Sequence, residues 1–323
     1  MDDNLFTPSD FFHRGMEFLD EGQFNQALEH FQQAVDREYI DPNILGPMGE
    51  ALFELGRVNE ALDYFNRAVK NSEDADKALL WKGICYLELQ KHRRALSAFN
   101  RILEKDPENA QAHFKRGLAL IEIGSPTRAL VALDTAHKLL NENPSEFQED
   151  ALSDVLLWKG RAKMALNLRP EALELLHEAL ELVPDHPGVY SELGQYFRTI
   201  GDMKTAEDWY RKGLDHLPDD PNLHNDFGNM LRDAGDFQGS LEHLTAAIDN
   251  GATRSVVYYN RALSLRSLGR YDEALKDFEV VVESNPGDID ARLSKLDLLG
   301  KLNLFTDAEE LIVDLRGESI PRD

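Results

Sequence analysis

The sequence predicts an all-α chain, a solenoid of about nine antiparallel helix pairs, and three observations predict it. The first is a period. Gly at position 8, Ala at 20 and a bulky residue at 24 recur in segments starting at Pro8, Pro42, Asp76, Ala110, Ser153, Pro187, Pro221, Ser255 and Ile289. Each start follows the last by 34 residues, except for 43 between Ala110 and Ser153. Such self-similarity marks a repeat architecture, in which every unit buries its apolar face against its neighbours. The second is a stripe at helical spacing: in the third repeat Leu79, Lys82, Gly83 and Tyr86 fall at i, i+3, i+4 and i+7. The third is punctuation. Gly56, Gly124, Gly201, Gly235 and Gly269 at position 15 end the first helix of a pair, and Pro107, Pro184, Pro218 and Pro286 at position 32 stop the second.

Within a pair, small is expected to face large. Position 8 is Gly15, Gly49, Gly83, Gly117, Gly160, Gly194 and Gly228, then Ala262. Gly inside a helix costs roughly 1 kcal/mol against Ala, so close approach of a second helix must offset it. That second helix carries Ala at position 20 (Ala27, Ala61, Ala95, Ala129, Ala172, Ala206, Ala274, Ala308). At position 24 it carries Phe31, Phe65, Phe99, Leu133, Leu176, Tyr210, Leu244 and Phe278.

In chain order, residues 1–7 form a tail and residues 8–315 one array. In the second repeat Gly46-Pro47 delays the first helix, since proline is tolerated only in a first turn. An insertion at about 142–152 precedes the fifth repeat. There Ser145 and Gln148 make a capping-box signal, and Phe147, Ala151 and Val155 continue at i, i+4 and i+8, which predicts a first helix about two turns longer than usual. The ninth repeat keeps Ala308 but has Leu296 at position 8, a degenerate capping pair before the 316–323 tail. Its Leu311, Ile312 and Leu315 lack a further helix to cover them, which leaves end-to-end self-association open.

These residues resemble the tetratricopeptide repeat family, whose aromatic, Leu-Gly, Tyr, Ala, Phe, Ala and Pro spacing they match over about residues 8–315. The resemblance implies a right-handed superhelix whose first helices line a concave groove. It says much about mode of action and little about the partner. The family's carboxylate clamp, which holds acidic chaperone C-termini, is not reproduced. Its nearest approach is Asn225, Asn229 and Asn260, followed by Asp290 and Ser294 where the clamp needs bases.

Composition narrows the function. Net charge is −24, from 35 basic and 59 acidic side chains, which opposes nucleic acid and anionic membranes as partners. The lone Cys85 sits at position 10, where other repeats have Ala51, Ala119 and Ala162, and reads as a core filler. With no second cysteine, no cationic and apolar leader after Met1-Asp2-Asp3 and no long apolar run, the expected location is cytoplasmic. Phosphate-loop, nucleophile-elbow and His-Glu-x-x-His patterns are missing, and the ten histidines are scattered. His30 and His243 share position 23, where a solvated side chain is expected. No enzymatic activity, cofactor or metal site is expected.

Positions 5, 9 and 12 form a second stripe on the first helices, which the resemblance places on the groove. In repeats one to five it is mainly apolar, with Phe12, Met16, Leu80, Ile84, Phe114, Leu118 and Leu157. Trp81 and Trp158 stand beside it at position 6, and Arg161 marks a transition. In repeats six to eight it turns polar: Gln195 and Arg198, Asn225, Asn229 and Arg232, then Arg266, with Asn260 at position 6. Arg198, Arg232 and Arg266 share position 12, so they form a ladder. Helices about 8–10 Å apart would offer a strand rising ~3.3 Å per residue one guanidinium about every third residue. A planar guanidinium binds carboxylate or phosphate bidentately, and the asparagines suit a peptide backbone. The ladder could equally be paired internally with Glu192, Asp226 or Asp233, and the apolar stripe could pack against adjacent repeats.

The expected function is a non-catalytic scaffold holding a peptide segment of a partner protein, one with acidic or phosphorylated groups. A regulator sensing an acidic peptide or phosphorylated tail, or an accessory array for a separate catalytic chain, are the alternatives.

Overall fold

The computed structural model describes residues 6–71, 75–142 and 148–316. Among them are eighteen α-helices, one short 3-10 turn and no strand. The chain forms two compact units, residues 1–178 and 179–323, each considered by itself. Unit one holds α1 (Pro8–Asp20) with α2 (Phe24–Asp36), α3 (Leu45–Glu54) with α4 (Val58–Asn71), and α5 (Ala75–Glu88) with α6 (His92–Lys105). After them come α7 (Ala110–Glu122) with α8 (Pro126–Glu142), then α9 (Gln148–Ala165); the boundary falls within α10 (Arg169–Leu182). Unit two holds α11 (Pro187–Thr199) with α12 (Met203–His216) and α13 (Pro221–Asp233) with α14 (Phe237–Asp249). It continues with α15 (Ser255–Ser267) and α16 (Tyr271–Ser284), then α17 (Ile289–Lys301) and α18 (Phe305–Arg316). From α1 to α9 in unit one, and from α11 to α18 in unit two, each helix packs on the next, as the repeat pattern requires.

The pairing rests on the glycine at position 8. A Cβ placed on Gly49 would lie 2.7 Å from Cε1 of Phe65, and on Gly15 2.5 Å from Cε1 of Phe31. The same holds at Gly117 against Leu133, Gly194 against Tyr210 and Gly228 against Leu244. Phe31, Phe65, Phe99, Leu133, Leu176, Tyr210, Leu244 and Phe278 are all fully buried, as are the position-20 alanines up to Ala274. Each bulky side chain therefore fills the notch that a missing side chain leaves on the facing helix, which is how interiors reach crystal-like density.

Position 15 adopts a left-handed backbone in all nine repeats. Six are glycines with φ between 73° and 85°, Gly22 among them; Gln90 (55°), Asn167 (60°) and Asn303 (61°) complete the set. The turn closes the same way around either residue type: Gln23 N–H bonds Phe18 O at 2.8 Å, and Lys91 N–H bonds Tyr86 O at 2.7 Å.

A second recurrent device joins one pair to the next. The side chain at position 4 donates to the carbonyl of the preceding position-32 proline. His113 reaches Pro107 O at 2.9 Å, Tyr190 reaches Pro184 O at 2.7 Å and His224 reaches Pro218 O at 2.8 Å. Arg292 and Pro286 repeat it at 3.5 Å. Three chemically different side chains thus satisfy the same orphan carbonyl at the end of a helix. At these junctions Asn109, Asp220 and Asp288 cap the next helix.

His243 is not the solvated side chain expected of it. His224 spends its Nε2–H on Pro218, so its Nδ1 accepts from Nδ1–H of His243 at 2.9 Å, and the His243 ring lies 4.3 Å from that of Phe227. Burial first, then His224 and Arg211, push His243 down to about 4.

The irregular segments have physical reasons. Pro42–Ile44 forms a 3-10 turn capped by Asp41, and α3 begins only at Leu45, which leaves Pro47 within its first turn. The lengthening before the fifth repeat is shared: α9 spans 18 residues and α8 spans 17, against 13 for α7 and α11. The added length on α9 is therefore nearer one turn than two. The capping signal of Ser145 and Gln148, with Phe147, lies outside the described residues or side chains, as do the terminal segments 1–5 and 317–323. Cys85 is fully buried, and burial pushes its thiol up to about 12, which suits a core filler.

Two predictions follow from these contacts. Gly49→Ala gains helix propensity but drives a methyl into Phe65, so it should lower stability by about 1–3 kcal/mol. Gly300→Ala meets nothing within 4 Å and should raise stability by about 0.5–1 kcal/mol. Urea midpoints followed by circular dichroism check both signs. His243 generates the other. Its folded pKa of about 4 lies below the unfolded value near 6.5, so between them the unfolded chain binds more protons and stability falls on acidification. His243→Gln should remove about 1–2 kcal/mol of the loss between pH 7 and pH 5, read as the difference between variant and wild-type unfolding curves.

Candidate functional site

Repeats six to eight bring the polar stripe together on one face of α11, α13 and α15 in unit two. The position-12 ladder is partly paired there. Arg198 Nη2 meets Asp233 Oδ2 at 2.6 Å and its Nη1 donates to Gln195 Oε1 at 3.0 Å. Arg232 reaches Oδ1 of the same Asp233 at 3.4 Å and donates to Asn260 Oδ1 at 2.9 Å. Arg266 has no ion pair among the described residues. One carboxylate thus serves two guanidiniums and the third is left without one, because the position that Asp233 fills is Ser267 in the next repeat and Lys301 in the one after.

An amide network lies beneath the ladder. Asn225 Oδ1 accepts from Asn229 and from Asn260, both at 3.4 Å, and its Nδ2 donates to Asp226 at 3.2 Å. Ser191 Oγ donates to the other oxygen of Asp226 at 2.8 Å. Burial holds the Asp226 carboxyl above the usual carboxylate range, against the pull of Ser191, Asn225 and Arg198. Two buried polar atoms here have no partner, Asn229 Oδ1 and Tyr210 Oη. Unpaired buried polar groups are costly, so Asn229 Oδ1 marks a place where an added donor is favoured and Tyr210 Oη one where an added acceptor is. Burial raises the Tyr210 hydroxyl well above its ordinary pKa, with Asp226 adding to the effect, so it stays protonated and remains a donor.

In unit one the apolar stripe is largely engaged in packing between repeats. Phe12 stacks on Tyr39 at 5.0 Å and Met16 packs into the same core. Trp81 stacks on Phe65 at 5.9 Å and meets Phe53 at 5.4 Å. Leu80 covers the core beside Phe99, and Phe114, Leu118 and Trp158 cover that around Leu133 and Val155. Leu157 is closed off from solvent, whereas Ile84 is half-buried. Arg161 lies over the Trp158 ring at 4.5 Å. The structure therefore draws Gln195, Arg198, Asn225, Asn229, Arg232 and Asn260 into one polar network, with Arg266 on the next first helix. Sequence reasoning missed Tyr210, which lies beside that network. Tyr210 was hidden because its position 24 reads as core, where the whole side chain, hydroxyl included, is buried.

No helix among the described residues is long and apolar enough to cross a membrane, and no three His, Cys, Asp or Glu side chains cluster as metal ligands there.

Comparison with known proteins follows the same repeat register. A family profile described as tetratricopeptide repeat matches residues 12–76, 47–103, 82–144, 159–221 and 225–289. Among curated proteins, none matches by sequence. The chain is similar in fold to the crystal structure of a tetratricopeptide repeat protein from Parabacteroides merdae, with a TM-score of 0.64 at 18% identity over 80% of this chain and 98% of that one. It is also similar to a chain of the APC/C hetero-tetramer Cut9–Hcn1, with a TM-score of 0.55 at 19% identity over 90% of this chain and 55% of that one. The profile matches cover most of the sequence, in phase with the glycine notches and the position-15 turns: the chain belongs to the tetratricopeptide repeat family.

Proposed function

We propose that the protein is a non-catalytic interaction scaffold that holds an extended peptide segment of a partner protein across α11, α13 and α15. The observation that carries this reading is the uneven charge of the ladder, where Asp233 is shared by Arg198 and Arg232 and Arg266 has no ion pair among the described residues. An acidic or phosphorylated group on the peptide supplies what is missing, and a guanidinium takes either group in bidentate fashion. Asn229 Oδ1 is the remaining free valence on a partly exposed side chain, an acceptor for a peptide N–H. Family membership supports a protein partner, since the rigid helix pairs leave recognition to residues that differ from repeat to repeat. The single, buried Cys85 fits a reducing, cytoplasmic setting. Exposed Ile289, Leu293 and Phe305 on the last pair support self-association as a secondary property, which sedimentation at rising concentration tests.

The main test is binding of a degenerate library of extended peptides, each with one central Glu, to the full chain. Arg232→Ala/Arg266→Ala should weaken retention by about tenfold or more. Asp233→Asn should strengthen it, because the internal competitor is gone. Retention indifferent to both variants would remove the ladder from the binding face.

A further inference from the structure

A second shortage of negative charge lies in unit one, away from the first-helix stripe. On α6, Arg94, Ser97 and Arg101 fall at i, i+3 and i+7 and so share one face. On α5, Lys82 and Tyr86 face them across a pocket of about 170 Å³. The Lys82 ammonium and the Arg94 guanidinium flank the Tyr86 ring at 6.0 and 5.9 Å. Among the described residues no carboxylate lines this pocket, and none of Lys82, Arg94 and Arg101 has an ion pair. Burial, then Arg101 and Lys70, lower the Lys82 pKa, so the surroundings already disfavour its charge. This occurs in a chain of net charge −24, in which bases such as Arg57, Lys105 and Arg261 have an acidic partner. The basic surface continues over the start of α6 through Lys91 and Arg93, where the buried Nδ1 of His92 has no partner.

We propose that this pocket is an anion site that receives a phosphorylated serine or threonine of a partner protein. Its size supports the choice: it lies well below the 300–1,000 Å³ typical of whole small-molecule ligands, so it admits a phosphate with its side-chain stem and excludes a nucleotide. Its donors support it too. A phosphomonoester carries about −1.5 to −2 charges and three strong acceptor oxygens. Lys82, Arg94 and Arg101 supply charge, and the Ser97 and Tyr86 hydroxyls supply further donors. Carboxylate would leave both charge and donors unmatched. The site is independent of the ladder on α11, α13 and α15, and either can fail without the other.

The test uses the immobilised full chain, a degenerate peptide library with a central phosphoserine and the same library unphosphorylated. The phosphorylated library should be retained about tenfold better. In an Arg232→Ala/Arg266→Ala background, which removes the ladder's own affinity for phosphate, the preference should persist, and the further triple variant Lys82→Gln/Arg94→Gln/Arg101→Gln should abolish it. Equal retention of the two libraries, or a preference that survives the triple variant, would overturn the proposal. So would saturable binding of inorganic phosphate or of a short oligouridylate without any preference for the phosphopeptides, which would assign the pocket to a free ion or to RNA. A stability readout guards against misfolded variants. Arg101→Glu should raise the thermal midpoint at low salt, because it supplies the missing counter-charge; an unchanged or lowered midpoint would show that the cluster is already compensated.

Discussion

The rest of the structure depends on one contact, the glycine notch of a first helix filled by the bulky side chain sixteen positions later on the second. It fixes the spacing within a pair so tightly that a single methyl on Gly15 or Gly49 would overlap the ring of Phe31 or Phe65. A contact of that kind is steric and uncharged, so it is indifferent to what the outer faces carry. Once it repeats in register, each pair presents the same two surfaces to its neighbours, and stability becomes a sum over adjacent pairs. The faces not used in that sum are then free to differ from repeat to repeat. The polar network on α11, α13 and α15 and the basic pocket between α5 and α6 both occupy such faces.

The notch also accounts for what was legible in the sequence. A residue type held at one position over many repeats announces its role, so Gly at 8, Ala at 20 and Phe, Leu or Tyr at 24 gave the pairing, the family and the core together. Roles filled by different residue types were not legible. Gln90, Asn167 and Asn303 take the left-handed turn that glycine takes elsewhere, since a short polar side chain tolerates that conformation at modest cost. His113, Tyr190 and His224 all donate to a proline carbonyl, a role defined by reach and a proton rather than by residue type.

The candidate sites show the same limit in another form. The arginine ladder was visible because Arg198, Arg232 and Arg266 share one position. Its pairing was not, because Asp233 lies in the repeat after Arg198, and which of Glu192, Asp226 and Asp233 it chooses depends on rotamers. In unit one the aromatic residues of the stripe were legible as a group, but not their use. Trp81 is absorbed by ring stacking between repeats and Phe12 by stacking within its own, which a stripe of apolar positions does not distinguish from an open surface. The basic pocket was hidden because its polar members come from five different repeat positions on two helices.

Net charge and local charge act over different ranges, and the distinction decides how this protein would meet an anionic partner. Salt screens exposed charges beyond about 8 Å at physiological ionic strength, so the overall −24 does not neutralise a pocket whose own walls hold no carboxylate. The same surplus still repels an acidic partner during approach, which lowers the association rate where a basic surface would raise it. Recognition must then come from short-range complementarity at Lys82, Arg94 and Arg101 or at Arg232 and Arg266, where desolvation strengthens each hydrogen bond. An acidic segment that cannot place its charge in one of those positions meets only the repulsion. The acidic surface therefore acts as a filter: it weakens nonspecific contact with anions while leaving a correctly placed phosphate or carboxylate its full set of donors.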